Sequence, residues 1–348
     1  AYDFPLAEAN LAYTPSKFIN LNLGYGKNFI GDGYRSILLS DGASPYPYFK
    51  LNTTFWKIKY TNLYTWLKDV RPEVTEDRTY ATKFAASHYL SLNITNRWNI
   101  GLFESVIWTN NNNRGFDMSF VNPIIFYRTV EFTSSARSGN ALLGLTTKVK
   151  WNHQINFYGQ FLLDEFVLSK IRNRPTSWVN KFGLQAGIKY IDAFGVKNLD
   201  VQVETNRVRP FTYSRDSITN YTHYNQPLAH PLGANFQEFI GIIRYQPFPK
   251  WYVYAQAIYF NQGLDSANKN FGGNIFKDYR TRSGDDGFEV AGGRKATGLN
   301  GLLQVSYEWK ENLFFDVSML YRNYKIQNVA SQSNTTMVTA GIRINMFK

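Results

Sequence analysis

The feature that most narrows what this chain can fold into is a period of two. Apolar and polar residues alternate in segments of about ten residues along the sequence, as in strands whose two faces meet different surroundings. Leu199, Val201, Val203 and Thr205 interleave with Asp200, Gln202, Glu204 and Asn206. Ile19, Leu21, Leu23 and Tyr25 interleave with Asn20, Asn22, Gly24 and Gly26. Leu90, Leu92 and Ile94 interleave with Ser91, Asn93 and Thr95. One such segment is weak, but a long series implies an all-β, transmembrane antiparallel barrel with lipid on one face of its wall and water on the other.

Composition agrees. No apolar run reaches the length of about eighteen residues that a transmembrane helix needs. The negative mean hydropathy is no obstacle, because a barrel strand needs only every second residue apolar. Aromatic residues make up 17% of the 348 residues, which suits girdles at the two lipid–water boundaries. The chain has no cysteine, which excludes disulfides and thiolate metal sites. It begins at Ala1 without a charged, apolar leader, the pattern of a mature or trimmed chain. A net charge of +12 points to an acidic partner such as lipopolysaccharide or an anionic polysaccharide. Nucleic acid does not fit an outer-membrane barrel.

Short and long connections take turns. The short ones include Thr14-Pro15-Ser16-Lys17, Asn96-Arg97, Trp151-Asn152-His153, Phe194-Gly195-Val196-Lys197, Pro247-Phe248-Pro249-Lys250 and Lys310-Glu311-Asn312. They are rich in turn formers and flanked by aromatics, as periplasmic turns beside a girdle would be. Long polar connections fall near 27–47, 68–80, 110–139, 165–179, 207–234, 261–296 and 327–334 and read as the extracellular side. The strands between them run near 4–14, 17–26, 48–55, 57–67, 81–95, 97–109, 140–151, 153–164, 180–190, 197–206, 235–246, 250–260, 297–310, 312–325 and 335–347. The pair within 48–67 needs a turn near Phe55-Trp56, where no usual turn residue stands; the rhythm alone requires it.

The expected strand number is about 14–18, in one barrel domain over residues 1–348. Fifteen is odd, whereas single-chain bacterial barrels have even numbers. The parity implies at least one strand before Ala1 or one miscounted. Two long stretches carry apolar residues unsuited to open water and are expected to fold into the lumen as plugs. One is Asn28–Tyr48 with Ile37-Leu38-Leu39; the other lies within 110–139, where Phe120–Phe132 holds Ile124, Ile125 and Tyr127 and has a helix start at Pro123. Ordinary loops packed on each other remain the plain alternative.

Signals for catalysis or metal binding are thin, so no enzyme activity and no cofactor are expected. His223 and His230 share the segment 221–233, but no third ligand stands at close spacing. His88 lies near Ser87 and Ser91, the kind of pair a membrane phospholipase would use, yet nothing marks a third, orienting residue. Asp200 and Glu204 share a strand face about 13 Å apart, too far for a glycosidase pair.

Binding signals are stronger. Arg207 and Arg209 follow Glu204, with His223, Tyr224 and Asn225 soon after. Forked donors for carboxylates and flat rings for sugar faces are thereby mixed in one stretch. A second cluster holds Lys27, Arg35, Tyr46, Tyr48 and Lys50, and a third spans Lys277–Arg282, read as a solvated loop. General lumen and loop polarity would account for the same residues.

Two stretches, 24–62 (GYGKNFIGDGYRSILLSDGASPYPYFKLNTTFWKIKYTN) and 204–239 (ETNRVRPFTYS…YTHYNQPLAHPLGANFQEF), resemble the Wzi capsule-assembly family, most of all its gliding-motility RemB-like branch in Bacteroidota. The resemblance implies a barrel of about eighteen strands in the bacterial outer membrane, with about three strands upstream of Ala1. It implies a non-enzymatic surface lectin that helps attach exported capsular polysaccharide. Lys27, Arg35, Arg207, Arg209 and Tyr224 are the expected contacts to an anionic glycan, with Glu204 orienting the arginines or accepting sugar hydroxyls. The rival readings are a diffusion channel, and a structural subunit bound to other outer-membrane proteins in a secretion or motility complex.

Overall fold

Alternation along each segment becomes alternation across a wall. The computed structural model describes residues 7–75, 78–110, 115–122, 139–165, 168–215, 218–266, 269–329 and 332–345. Its strands are β1 (Ala9–Ser16), β2 (Ile19–Gly26), β3 (Tyr46–Phe55), β4 (Ile58–Asp69), β5 (Ala81–Asn93), β6 (Trp98–Thr109), β7 (Asn140–Lys150), β8 (Ile155–Glu165), β9 (Lys181–Tyr190), β10 (Leu199–Val208), β11 (Thr222–His223), β12 (Gln226–Pro227), β13 (Phe236–Tyr245), β14 (Trp251–Leu264), β15 (Arg294–Lys310), β16 (Leu313–Ile326) and β17 (Ser333–Ile344). All but β11 and β12 form one 15-stranded antiparallel sheet in chain order. Each of the fifteen expected segments overlaps one strand of this sheet. Among the described residues β1 pairs only with β2, and β17 only with β16.

The pairing keeps a single inside and outside. Along β10, Gln202, Glu204 and Asn206 turn inward and are buried, while Val203 turns outward and is 56% exposed. Leu23, Leu145, Leu184, Ile243, Leu303 and Val317 continue the exposed apolar rows on the outer face. Such a belt is stable only against lipid. The short turns gather at one end with exposed Trp56, Trp98, Trp151, Phe194, Phe248 and Trp309, an aromatic girdle. The turn between β3 and β4 falls where the rhythm required it, and Trp56 takes it with φ 52°, a left-handed conformation unusual for an aromatic residue. No described helix is long and apolar enough to cross a membrane.

The long connections lie at the other end, and two of them turn back into the lumen. Residues 27–45 put Ile30, Ile37, Leu38, Leu39 and Ala43 into one buried cluster with wall residues Leu63, Phe103, Leu142 and Leu162. Residues 209–235 add Tyr213, Tyr221, Leu228 and Ala229 to the same cluster. The expected plug at 28–48 is therefore present.

The expected second plug is corrected for the part described. Residues 115–122 lie on the outer face of β3–β6, not in the lumen. Phe120 stacks on Trp108 at 4.5 Å and Phe116 on Trp66 at 5.4 Å, with Tyr64 and Phe84 beside them. The physical reason is the surface beneath: these strands turn aromatic rings outward, and ring-on-ring contact favours covering them with more rings. Asn62, His88 and Glu104 are buried on the same face. A helix starting at Pro123 lies outside the described residues. His88 shows why a serine–histidine pair does not assemble: it turns outward, whereas the adjacent Ser87 and Ser91 turn inward.

Candidate functional site

Wall residues hold the plug by its backbone. The Glu204 carboxylate accepts the backbone N–H groups of Tyr34 at 2.7 Å and Arg35 at 3.0 Å, and the Tyr158 hydroxyl donates to it at 2.7 Å. Charge-assisted bonds of this kind are the strong ones. Gly33 permits the approach, because a Cβ there would sit 2.5 Å from a Glu204 oxygen. The Gln160 side-chain oxygen accepts the Ile37 N–H at 2.9 Å while its nitrogen donates to the Ile30 carbonyl at 3.1 Å. Gln185 donates to the Arg35 carbonyl at 2.9 Å, and Lys189 to the Asp32 carbonyl at 2.6 Å.

The second loop locks onto the first. The Tyr213 hydroxyl donates to the Ile37 carbonyl at 2.6 Å, and the Ser40 N–H donates to the Leu228 carbonyl at 2.8 Å. Buried Lys83 donates to Thr222 Oγ1 at 2.8 Å and to the Ile218 and Asn220 carbonyls at 3.0 Å each. β11 and β12 make a two-residue hairpin whose tip, Tyr224-Asn225, has φ values of 48° and 55°, the pattern of a type I′ turn. His223 ties the hairpin to the wall: Nδ1 accepts the Lys68 N–H at 3.0 Å, which leaves Nε2 to donate to the Pro45 carbonyl at 3.2 Å. Burial holds this imidazole down to about 4, with Lys83 adding to the shift.

Above the plug, on the long-loop side, a cleft of about 540 Å³ lies between residues 225–233 and 262–277. Asn225, Gln262, Asn274, Phe276, Lys277 and Arg294 line it. Lys277 is held against Asp265 at 2.7 Å. Arg294 is exposed and makes no ion pair among the described residues. The lining thus combines amides, one ring, two cations and the Asp265 carboxylate that pairs with Lys277, a set suited to sugar hydroxyls, a sugar face and acidic substituents.

The structure separates the residues that the sequence grouped. Tyr46, Tyr48, Glu204 and His223 are buried in the seat of the plug. Arg35 stands in the lumen with its Nε 3.8 Å from Glu238. Arg207 turns outward on β10, in register with Leu184 and Gln237. Arg209 is taken up by the carbonyls of Asn180, Ser177 and Phe288, between 2.6 and 3.3 Å. Tyr224 and Asn225 reach the outer side, and Asn225 lines the cleft. Lys27 lines a different cavity, below the plug. Gln262, Asn274, Phe276 and Arg294 carried no sequence signal; Lys277 belonged to the cluster read as a solvated loop. His223 and His230 do not share a site, since His230 donates to Glu238 at 2.8 Å.

No protein-family model and no curated protein matches the chain. Among solved structures, the fold is similar to Wzi, an outer membrane protein involved in group 1 capsule assembly in Escherichia coli and a carbohydrate-binding β-barrel. The TM-score is 0.63 at 15% identity, covering 97% of this chain and 69% of Wzi. This chain is that of an outer-membrane β-barrel. Pseudomonas aeruginosa OprD is more distant, with TM-score 0.46 and 8% identity over 94% of this chain and 78% of that one. At these identities the likeness establishes the fold, and the ligand has to be argued from this chain's own residues.

Proposed function

We propose that this outer-membrane barrel is a non-enzymatic protein that holds an anionic surface polysaccharide, capsular or exopolysaccharide, at its outer face and assists its assembly there. The observation that carries this reading is the cleft between residues 225–233 and 262–277, set on top of a lumen that two loops fill. Such a floor suits retention of a chain at the surface better than its passage through the wall. The likeness to a carbohydrate-binding barrel supports the reading, as does the net charge of +12. Lys277 and Arg294 meet acidic groups, Asn225, Gln262 and Asn274 meet hydroxyls, and Phe276 offers a ring face.

The test is binding of the host's own surface polysaccharide to the purified, detergent-folded barrel at two salt concentrations. Saturable binding that weakens with salt and is reduced in Lys277→Gln/Arg294→Gln supports the cleft. Full binding in that double variant overturns it. Lipopolysaccharide, which also meets the outer rim, is separated by competition with lipid A alone.

A second reading, a structural subunit of a secretion or gliding-motility complex as in the RemB-like Bacteroidota branch, draws on the aromatic cover at residues 115–122. That cover gives the outer wall of β3–β6 a protein surface where bare strands would meet lipid. A free monomer in native detergent extracts counts against it.

A further inference from the structure

Below the plug the lumen widens into a second cavity of about 800 Å³, bounded by the inner faces of β3–β7 and by the short turns after β3 and β5. Its charge is one-sided. Lys27, Lys50, Lys57, Lys59, Arg97 and Lys150 line it, and none of them makes an ion pair among the described residues. Lys148 also lines it but is paired with Asp32, the single carboxylate of the lining. Between the cations stand neutral polar groups: Asn99 donates to Ser91 at 2.9 Å and to Asn93 at 2.8 Å, and Thr61 donates to Asn52 at 2.8 Å. At the rim, Trp56 is 74% exposed with the Lys57 ammonium 5.2 Å from its ring centre.

Stability does not account for this lining. A water-filled lumen asks only for polarity, and the asparagines and hydroxyls supply that at no electrostatic cost. Six unpaired like charges around one cavity repel one another, the more so where low-dielectric walls focus the field. Nor does lipopolysaccharide explain them, because these groups face the lumen at the short-turn, periplasmic end, away from the outer leaflet. Their spread suits a flexible chain with several negative charges better than a single small anion. The amides, hydroxyls and exposed indole are the usual partners of sugar hydroxyls and sugar faces, so among polyanions the lining favours a glycan over a peptide.

We propose that this vestibule, at the periplasmic end of the lumen, is a second binding site for a short stretch of an acidic polysaccharide bearing carboxylate groups. The choice of glycan rests on the polysaccharide reading above; the anionic site itself does not. The six cations bind the carboxylates, the asparagine ladder of β5 and β6 takes the hydroxyls, and Trp56 stacks on a sugar at the entrance. The vestibule and the outer cleft lie on opposite sides of the plug, so each is occupied independently.

The experiment titrates tetragalacturonate into the detergent-folded barrel by calorimetry, with maltotetraose and tetraglutamate as controls. Heat-modifiable gel mobility confirms that each variant is folded. Tetragalacturonate is expected to bind, maltotetraose to be silent, and Lys59→Gln/Lys150→Gln to weaken binding about tenfold or more while Lys277→Gln/Arg294→Gln leaves it unchanged. Unaltered affinity in Lys59→Gln/Lys150→Gln overturns the site. Equal or tighter binding of tetraglutamate overturns the glycan assignment in favour of an acidic peptide. Host polysaccharide held without tetragalacturonate binding sinks the vestibule alone; tetragalacturonate binding without host polysaccharide at the outer cleft sinks only the surface reading.

Discussion

The carboxylate of Glu204 accepts the backbone N–H of Tyr34 at 2.7 Å, which joins the wall of the barrel to the middle of its plug. The Arg35 N–H, the Tyr158 hydroxyl and Asn206 donate to the same carboxylate, so its oxygens are surrounded by donors. Replacing one oxygen by an amide nitrogen sets a donor against a donor. Glu204→Gln is therefore expected to loosen residues 30–37 at a cost of about 1–3 kcal/mol. In planar bilayers the variant should show conductance steps that the parent chain lacks. A variant as silent as its parent would mean that the other wall contacts hold the plug without Glu204.

The imidazole of His223 gives the hairpin a pH dependence with a defined sign. Its Nδ1 accepts the Lys68 N–H, so a second ring proton has no room. The group titrates at about 4 when folded, against about 6.5 in an unfolded chain. The unfolded chain thus takes the proton first as pH falls. The stabilisation is complete above about 6.5 and is lost toward 4, amounting to at most about 3 kcal/mol. Protection of the amides within residues 222–228, taken relative to the base-catalysed intrinsic exchange rate, should fall as pH drops through this window, and His223→Gln should flatten the response. An equally steep response in the variant would assign the titration to another group.

Phe120 is expected to hold the cover on the outer wall. Phe120→Ala removes the ring stacked on Trp108 and should cost about 3–5 kcal/mol locally. Residues 115–122 would then lose protection from proteolysis while the barrel keeps its heat-modifiable mobility. Protection equal to the parent's would show that Phe116 and its neighbours suffice.

The two arginines that the sequence paired should behave differently. Arg207→Ala is expected to leave both stability and glycan retention near the parent's values, since the side chain lies outside the lumen. Arg209→Ala frees the carbonyls of Asn180, Ser177 and Phe288 and should loosen the loops that bear them by about 1.5–3 kcal/mol. Loss of glycan retention in Arg207→Ala with an intact fold would restore that residue to the binding surface.

How much of this was legible follows from what a strand pattern encodes. Period two reveals strands and faces, so the fifteen segments and their rhythm could be read, including a turn at Trp56 that its own residues do not announce. Ile37-Leu38-Leu39 betrayed the plug because three consecutive apolar residues break both the strand and the loop pattern. Arg207 shares its parity with Val201 and Val203, so its outward direction was also in the sequence, masked by its closeness to Glu204. The cover at 115–122 was not legible, because its rings satisfy a lumen or an aromatic outer wall equally well. The outer cleft was hidden for a different reason: Asn225 comes from one connection and Gln262 and Arg294 from the ends of the strands that flank another, and polar residues look alike whether they seat a plug or meet a ligand.

The wall grips residues 30–37 almost wholly through main-chain atoms, by way of Gln160, Gln185, Lys189 and Glu204. The seat therefore recognises chiefly the path of the segment. Side chains add less there: Arg35 faces Glu238 at 3.8 Å and the Tyr34 ring rests on the cluster of Ile240, Ile242 and Ile258, so both positions can be exchanged at the cost of those contacts alone, provided Gly33 stays small. A reporter group or a cross-linker placed there would sit at the centre of the barrel without displacing the segment that carries it.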